Sequence, residues 1–284
     1  MEDTRSEFGH PRGAVSQFAT IAACAALLVA REARAEVPAP ELILVRSVDV
    51  DGLGVLAIES PKELFVDAAF EHADGADEVA LVPGARIRIG TLGFLEGRLP
   101  VGYGIQPGEA VLGNAMVGIG ILPRDHRLVG LALRFAGPTS PRVGNGMTTV
   151  AALAAPRLAD PELFLPHTTS AELVADWRWR GATSWVQAEG GVAGWWQPSP
   201  LGFATVLRAS AAGGVRVERW LDLAASFVTR VYLDDRPEHF VHSLLLGIVA
   251  HDGRGQIAIR LEVPIDNSAR DANRFLAGLE FRGR

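Results

Sequence analysis

The sequence predicts an all-β fold: an antiparallel transmembrane β-barrel of about twelve strands, with ten to fourteen compatible with the segment boundaries. Three observations predict it. Apolar and polar residues alternate with period two in a long series of segments. Most of these segments run 9–15 residues, the length a tilted strand needs to cross a bilayer and longer than the usual soluble strand. The connections alternate between tight turns and longer, more polar stretches, as in barrels of the outer membrane.

Taken in order, residues 1–35 read as an export signal. The 17 residues "AVSQFATIAACAALLVA" (14–30) are apolar, and Ala33-Arg34-Ala35 fits the small-x-small rule for cleavage. The stretch is short for a membrane-spanning helix. A lipobox-like reading of Ile21-Ala22-Ala23-Cys24 would put lipid on Cys24 instead. Cys24 is the single cysteine, so removal of the signal leaves no disulfide, no thiolate metal ligand and no thiol nucleophile. Removal takes away four basic and four acidic residues and leaves the net charge at −6. With no basic run, nucleic acid is not an expected partner.

Residues 36–61 are Pro-rich and then weakly alternating, and read as a periplasmic extension or plug. Residues 62–284 read as the barrel. Its twelve segments fall near 62–72, 83–91, 94–105, 110–122, 127–137, 169–180, 183–197, 202–217, 219–233, 238–251, 255–264 and 273–282. The tight turns are "PRDHR" (123–127), "RGAT" (180–183) and "DGRG" (252–255). The longer connections are "HADGADE" (72–78), 138–168, "DDRPEH" (234–239) and "DNSARDAN" (266–273). An even strand number returns both ends of the barrel to the periplasmic side. No later segment of a dozen residues holds a helical period.

The two faces of the strands separate cleanly. In 220–235, "WLDLAASFVTRVYLDD", Leu221, Leu223, Ala225, Phe227 and Val231 share one parity, and Asp222, Ser226, Arg230 and Tyr232 the other. The apolar parity elsewhere includes Ile87, Leu95, Val111, Val117, Ile119, Leu133, Ile259 and Phe281. The polar parity carries Arg86, Arg88, Glu96, Arg98, Asn114, Arg134, Glu172, Asp176, Arg178, Glu189, Arg208, Asp222, Arg230, Arg260, Glu262, Arg274 and Glu280. With Asp67 and Glu71 that makes nine basic and nine acidic side chains. In a sandwich they would meet solvent. In a barrel they line a polar lumen, and balanced charge in so narrow a barrel predicts ion-pair ladders that largely fill it. Trp177, Trp179, Trp185, Trp195, Trp196 and Trp220 all fall near strand ends and read as an aromatic girdle at the membrane interface.

The stretch "RIGTLGFLEGRLPVGYGI" (88–105) resembles a strand–turn–strand of Gram-negative outer-membrane barrels. "GNAMVGIGILPRDHRLVGLALRFAGPTS" (113–140) resembles the next hairpin. In the transporter-like family linked to phenol meta-pathway operons, a "GDLxLGxKY" strand, a short charged turn and an "ALGLxxxLPTG" strand occupy these places. The C-terminal "RFLAGLEFRGR" resembles a last barrel strand read by the assembly machinery, except that Phe281 is followed by Arg282-Gly283-Arg284. The resemblance implies an outer-membrane location, lipid and assembly-machinery partners, and passage of small, hydrophobic molecules.

No catalytic, metal or cofactor site is expected. His242-Ser243 and His167-Thr168-Thr169-Ser170 do not set His and Ser two apart on one strand face, as a lipid hydrolase of the barrel type would require. Asp234, Asp235, Glu238 and His239, and likewise Asp49 and Asp51, read as solvated loop acids, since neither group matches a calcium loop. The expected function is passive passage or binding of small molecules. The alternatives are a non-conducting structural barrel, a soluble exported sandwich that binds a ligand, and a lipid-active hydrolase.

Overall fold

The computed structural model describes residues 62–73, 75–90, 93–106, 108–121, 129–157, 159–180, 183–197, 202–234, 239–251, 255–266 and 274–283, without the side chains of 178–180. The expected signal (1–35), the extension (36–61) and Cys24 lie outside the described residues, as does the turn 123–127.

Among the described residues, fourteen strand segments follow one another. They are β1 (Lys62–Ala73), β2 (Ala76–Ile89), β3 (Gly93–Arg98), β4 (Val101–Gly104), β5 (Glu109–Leu112), β6 (Met116–Ile121) and β7 (Val129–Ala136), then β8 (Thr169–Arg180), β9 (Ser184–Trp196), β10 (Phe203–Glu218), β11 (Leu221–Tyr232), β12 (Phe240–His251), β13 (Gly255–Pro264) and β14 (Phe275–Gly283). They make twelve staves. β3 and β4 both pair with β2 and are halves of one stave; β5 and β6 pair with β4 and β3 and are halves of the next. Every pairing is antiparallel, and β1 joins both β2 and β14, from Leu64↔Gly283 to His72↔Phe275, which closes the sheet. A closed barrel satisfies every backbone group between staves and leaves no edge for lipid to meet.

Alternation decides the two surfaces. On β11, Asp222, Ala224, Ser226, Val228 and Arg230 are buried, whereas Leu223 and Phe227 are exposed. The exposed set is apolar around the barrel: Val117 62%, Ile119 53%, Val129 53%, Leu246 48%. The charged parity is the buried one. Such an inside-out pattern suits a lipid solvent, since a soluble sandwich would bury the apolar face.

The narrow lumen is filled partly by aromatic rings lying on glycines of the neighbouring stave. Phe65 pairs with Gly84, Phe94 with Gly120 and Trp185 with Gly214. A Cβ at these glycines would stand 2.3 Å, 2.3 Å and 2.4 Å from the ring atoms, so only glycine lets the rings lie flat against the wall.

Three expectations are corrected. The connection 72–78 is not a long loop: β1 runs to Ala73 and β2 starts at Ala76, with Gly75 at φ 81 completing a two-residue turn. Asp-Gly is a strong hairpin signal, and β2 therefore starts seven residues before position 83. Second, Val111 faces inward at 5% exposure. Between Val101↔Leu112 and Arg98↔Met116 one stave has two residues and the other three, a β-bulge at Gly113-Asn114-Ala115 that reverses the parity of β5 relative to β6. Third, 138–168 holds a helix, α1 (Gly144–Ala154), and a 3-10 turn at Pro161–Leu163.

Two outcomes follow. The unboiled protein is expected to migrate ahead of the boiled form on a gel, with no such shift for a soluble sandwich. Val117→Arg, which puts a charge in the lipid-facing band, is expected to cost up to about 2–4 kcal/mol in denaturant unfolding from lipid vesicles; an unchanged midpoint would place that face out of lipid.

Candidate functional site

The lumen is a set of ion-pair clusters fixed by register. Arg86 and Glu96 are cross-strand partners, and Arg86 Nε donates to Glu96 Oε2 at 2.6 Å while Arg98 Nε donates to Oε1 at 2.8 Å. The guanidinium groups of Arg86, Arg98 and Arg282 lie 5.6, 4.9 and 5.9 Å from the Phe65 ring centre. Arg134 and Glu172 are also cross-strand partners, 3.6 Å apart. Arg208 stands 2.7 Å from Glu189 and 3.9 Å from Glu172. Arg260 Nη2 donates to Asp67 at 2.6 Å, Ser243 to Glu262 at 2.9 Å and Gln187 to Asp176 at 3.2 Å. Asp222 meets His251 at 3.1 Å and Arg216 at 3.4 Å.

Of the fourteen residues expected to line the lumen, twelve are buried on the inner wall: Arg86, Glu96, Arg98, Arg134, Glu172, Asp176, Arg208, Asp222, Arg230, Arg260, Glu262 and Glu280, each at 5% exposure or less. Arg88 is exposed near the end of β2. The Arg178 side chain lies outside the described residues. Three further inward charges were missed, Glu63, Glu78 and Arg282. Arg282 explains the departure at the C-terminus: Phe281 faces out, and Arg282 turns in to pair with Glu280 at 2.6 Å.

Of the six tryptophans expected in a girdle, three face outward. Trp177, Trp196 and Trp220 are exposed at 38–49%. Trp185 and Trp195 point into the lumen, at 2% and 1% exposure, because they share the parity of Gln187, Glu189 and Ala193. The Trp179 side chain lies outside the described residues.

The lumen is occupied by the longest connection, 138–168, which the sequence places over or into the mouth of the barrel. After β7 the chain turns inward at Gly137 and does not rejoin the wall until Thr169. The bulge receives it. Asn114, fully buried, uses its backbone N–H to reach Leu163 O at 2.7 Å, and its side-chain amide donates to Glu162 O at 2.9 Å and Leu165 O at 2.7 Å. Its Oδ1 accepts from Ser140 N at 3.2 Å. The Ala115 amide donates to Thr139 Oγ1 at 2.8 Å, and the Thr139 hydroxyl donates to Gly113 O. Backbone groups that a continuous stave would pair with its neighbour thus hold the inserted segment instead.

Two contact types seat this segment. Against β2, β5, β6 and β7 the contact is apolar: Val150, Leu153, Leu163 and Phe164 pack on Ala80, Val82, Val111, Met116 and Ala136. Leu153 Cδ1 lies where a Cβ on Gly102 would otherwise be. On the other side the contact is ionic. Arg157 Nε donates to Glu71 at 2.5 Å and Nη1 to Asp67 at 3.3 Å and Asp160 at 3.2 Å, with the Phe164 ring 5.0 Å away. Arg230 on β11 donates to Ala159 O at 2.8 Å and to Glu162 at 3.1 Å. Burial alone would lower the Arg157 pKa, but Glu71, Asp160 and Asp67 outweigh it and raise the value well above the usual one. Burial would raise the Asp160 carboxyl, yet Arg157, Arg260 and Arg98 hold it below the usual range. Glu162 is raised by burial, which Arg230 offsets only in part. No group of three or more His, Cys, Asp or Glu suited to a metal ion occurs among the described residues.

Asn114→Ala removes the side-chain bonds to Glu162, Leu165 and Ser140. At about 1 kcal/mol net per bond, some 2–3 kcal/mol of the segment's seating is expected to go. Limited proteolysis should then cut within 137–168 faster than in the parent while the closed barrel keeps its gel mobility. Equal cleavage rates would show that the bulge does not anchor the segment.

No protein-family model and no curated protein sequence matches this chain. Among solved structures, it is similar to an outer membrane channel from Pseudomonas putida F1, with a TM-score of 0.54 at 12% identity over 78% of this chain and 94% of that one. It is similar to the NanC porin, with a TM-score of 0.50 at 9% identity over 78% and 99%. It is also similar to the translocator domain of the autotransporter NalP from Neisseria meningitidis, with a TM-score of 0.50 at 12% identity over 95% and 98%. At these identities the likeness is one of fold, and the fold is that of Gram-negative outer-membrane β-barrels.

Proposed function

We propose that the protein is an outer-membrane channel for small molecules whose lumen is closed by its own 137–168 segment. The observation that carries this reading is the kind of closure. The blocking element is a single tethered stretch, seated by ion pairs against β1 and β11 and by apolar packing and the Asn114 hydrogen bonds against β2 and β5–β7, rather than an inner wall collapsed on itself. On the β1 and β11 side, ion pairs and hydrogen bonds exchange for water when the segment moves into solvent and both partners are hydrated. The likeness to a solved channel and a solved porin supports the reading.

Hydrophobic cargo, implied by the resemblance to the phenol meta-pathway type of transporter, finds support on the inner wall. Trp185, Ala212, Ala224, Val228, Leu245, Val249 and Ala258 form one apolar cluster on β9–β13, and Ala193, Trp195, Ala204 and Val206 another on β9 and β10. These clusters run along one side of the lumen, while the Arg86–Glu96–Arg98 cluster occupies β2 and β3.

The test is a deletion that spares the wall. Ala136 and Ser170 are register partners, so a short Gly-Ser turn can replace 138–168 and leave β7 and β8 paired. Reconstituted in planar bilayers, the deletion variant is expected to conduct several-fold more than the parent. Unchanged conductance in a barrel that still shows the heat-dependent gel shift would favour the non-conducting structural reading.

A further inference from the structure

The position held by Arg157 has the features of a ligand site with an internal occupant. Asp67 and Glu71 project inward from β1, two turns of the pleat apart on one face. Glu78 projects inward from β2 directly opposite Glu71. Glu71 is 0% and Glu78 2% exposed. Two carboxylates facing each other across a strand pair repel, and burial strengthens the repulsion. Glu78 Oε2 has no hydrogen-bond partner among the described residues. The arrangement calls for a cation between the two strands and the lumen axis.

Asp67 has one from the wall, Arg260 at 2.6 Å. The cation at Glu71 comes from the inserted segment, as the guanidinium of Arg157. Asp160 and Phe164, the other two groups around that guanidinium, belong to the same segment and leave with it. Withdrawal therefore strips Glu71 of its counter-charge, with Glu78 facing it across the strand pair. A cationic group that enters the lumen can restore at Glu71 the charge-assisted hydrogen bonds that Arg157 gives up.

We infer that this inner face of β1 and β2 is a binding site for an organic cation, a guanidinium or primary ammonium group on a small solute, and that Arg157 occupies it as a tethered mimic. The planar fork of a guanidinium suits a pair of carboxylates better than a spherical ion does. A solute carrying that group competes with Arg157 for Glu71, and its binding and the release of the segment are two sides of one equilibrium. The inference rests on the channel reading for the use of the site, while the site itself is defined by Glu71, Glu78 and Asp67 alone.

The experiment uses the full barrel in detergent and methylguanidinium chloride as the probe, titrated by calorimetry at constant ionic strength. Arg157→Ala is expected to bind methylguanidinium at least about tenfold more tightly than the parent, since the internal competitor is gone. Neutral methylurea and sodium chloride should give no such heat. Arg157→Ala combined with Glu71→Gln should lose the binding. Binding that is equal in parent and Arg157→Ala, or that survives Glu71→Gln, would overturn the site. If Arg157→Ala does not fold, the parent in planar bilayers decides. Methylguanidinium should raise its open probability several-fold over sodium at equal ionic strength, and no difference would overturn the proposal. Conductance of the 138–168 deletion does not depend on this site, so failure of the cation site and failure of the channel reading give different results.

Discussion

The structure depends on pairing charge on a buried inner wall. Arg86, Glu96, Arg230, Asp222 and their neighbours lie on the inner wall at 4% exposure or less. Each such group forfeits hydration worth several kcal/mol, and a lone one would be untenable. Register supplies the remedy. Antiparallel pairing sets Arg86 beside Glu96 and Arg134 beside Glu172, so the order of staves and the order of charges specify each other. A slip of one residue in any stave would turn its charges into lipid and its leucines into the lumen. The same ladder that fills the barrel also fixes which residue pairs with which.

The bulge at Gly113-Asn114-Ala115 is where that regularity is broken to a purpose. One added residue frees a run of backbone groups from the stave-to-stave ladder and reverses the facing of β5, which turns Val111 inward under the inserted segment. Gly113 must be glycine, because a Cβ there would lie 2.4 Å from Leu163 O. Asn114 then supplies donors and an acceptor in one side chain, enough to hold both the entry of the segment, at Ser140, and its 3-10 turn, at Glu162 and Leu165. A serine or alanine at this place could not span both.

The barrel was legible because its signal is repeated. Period-two alternation recurs in every stave, so the twelve segments, most of the inward charges and the outward leucines could be placed, and register did the rest. The local exceptions were read less well, each for a physical reason. Asp74-Gly75 was a plain hairpin signal inside "HADGADE", masked by the acids around it and by Pro83, which suggested a later start for β2. Trp185 and Trp195 were placed by nearness to strand ends, but parity, which governs the side a residue faces, puts both in the lumen. The helix α1 carries the spacing Gly146, Thr149, Val150, Leu153 on its buried face. Its first half holds Gly144, Asn145, Gly146, Thr148 and Thr149, with no side-chain cap and no acid in its first turn, so its start carries little local signal and the surrounding wall fixes it in place.

That last point bears on how the lumen closes. A segment with weak intrinsic helicity draws its order from contacts with the wall, and those contacts are unequal. On the side of β2, β5, β6 and β7 they are apolar and continuous with the core around Val150 and Leu153. On the side of β1 and β11 they are the ion pairs of Arg157 and Glu162. Apolar packing holds only at close contact, whereas an ion pair can be exchanged for water or for another ion. On the channel reading, the 157–162 stretch is the latch and α1 the seat. The backbone ladder between staves does not run through Arg157 or Glu162, so the wall is built independently of the latch. On the channel reading, the wall supplies rigidity and the charges on β1 and β11 hold the inserted segment against it.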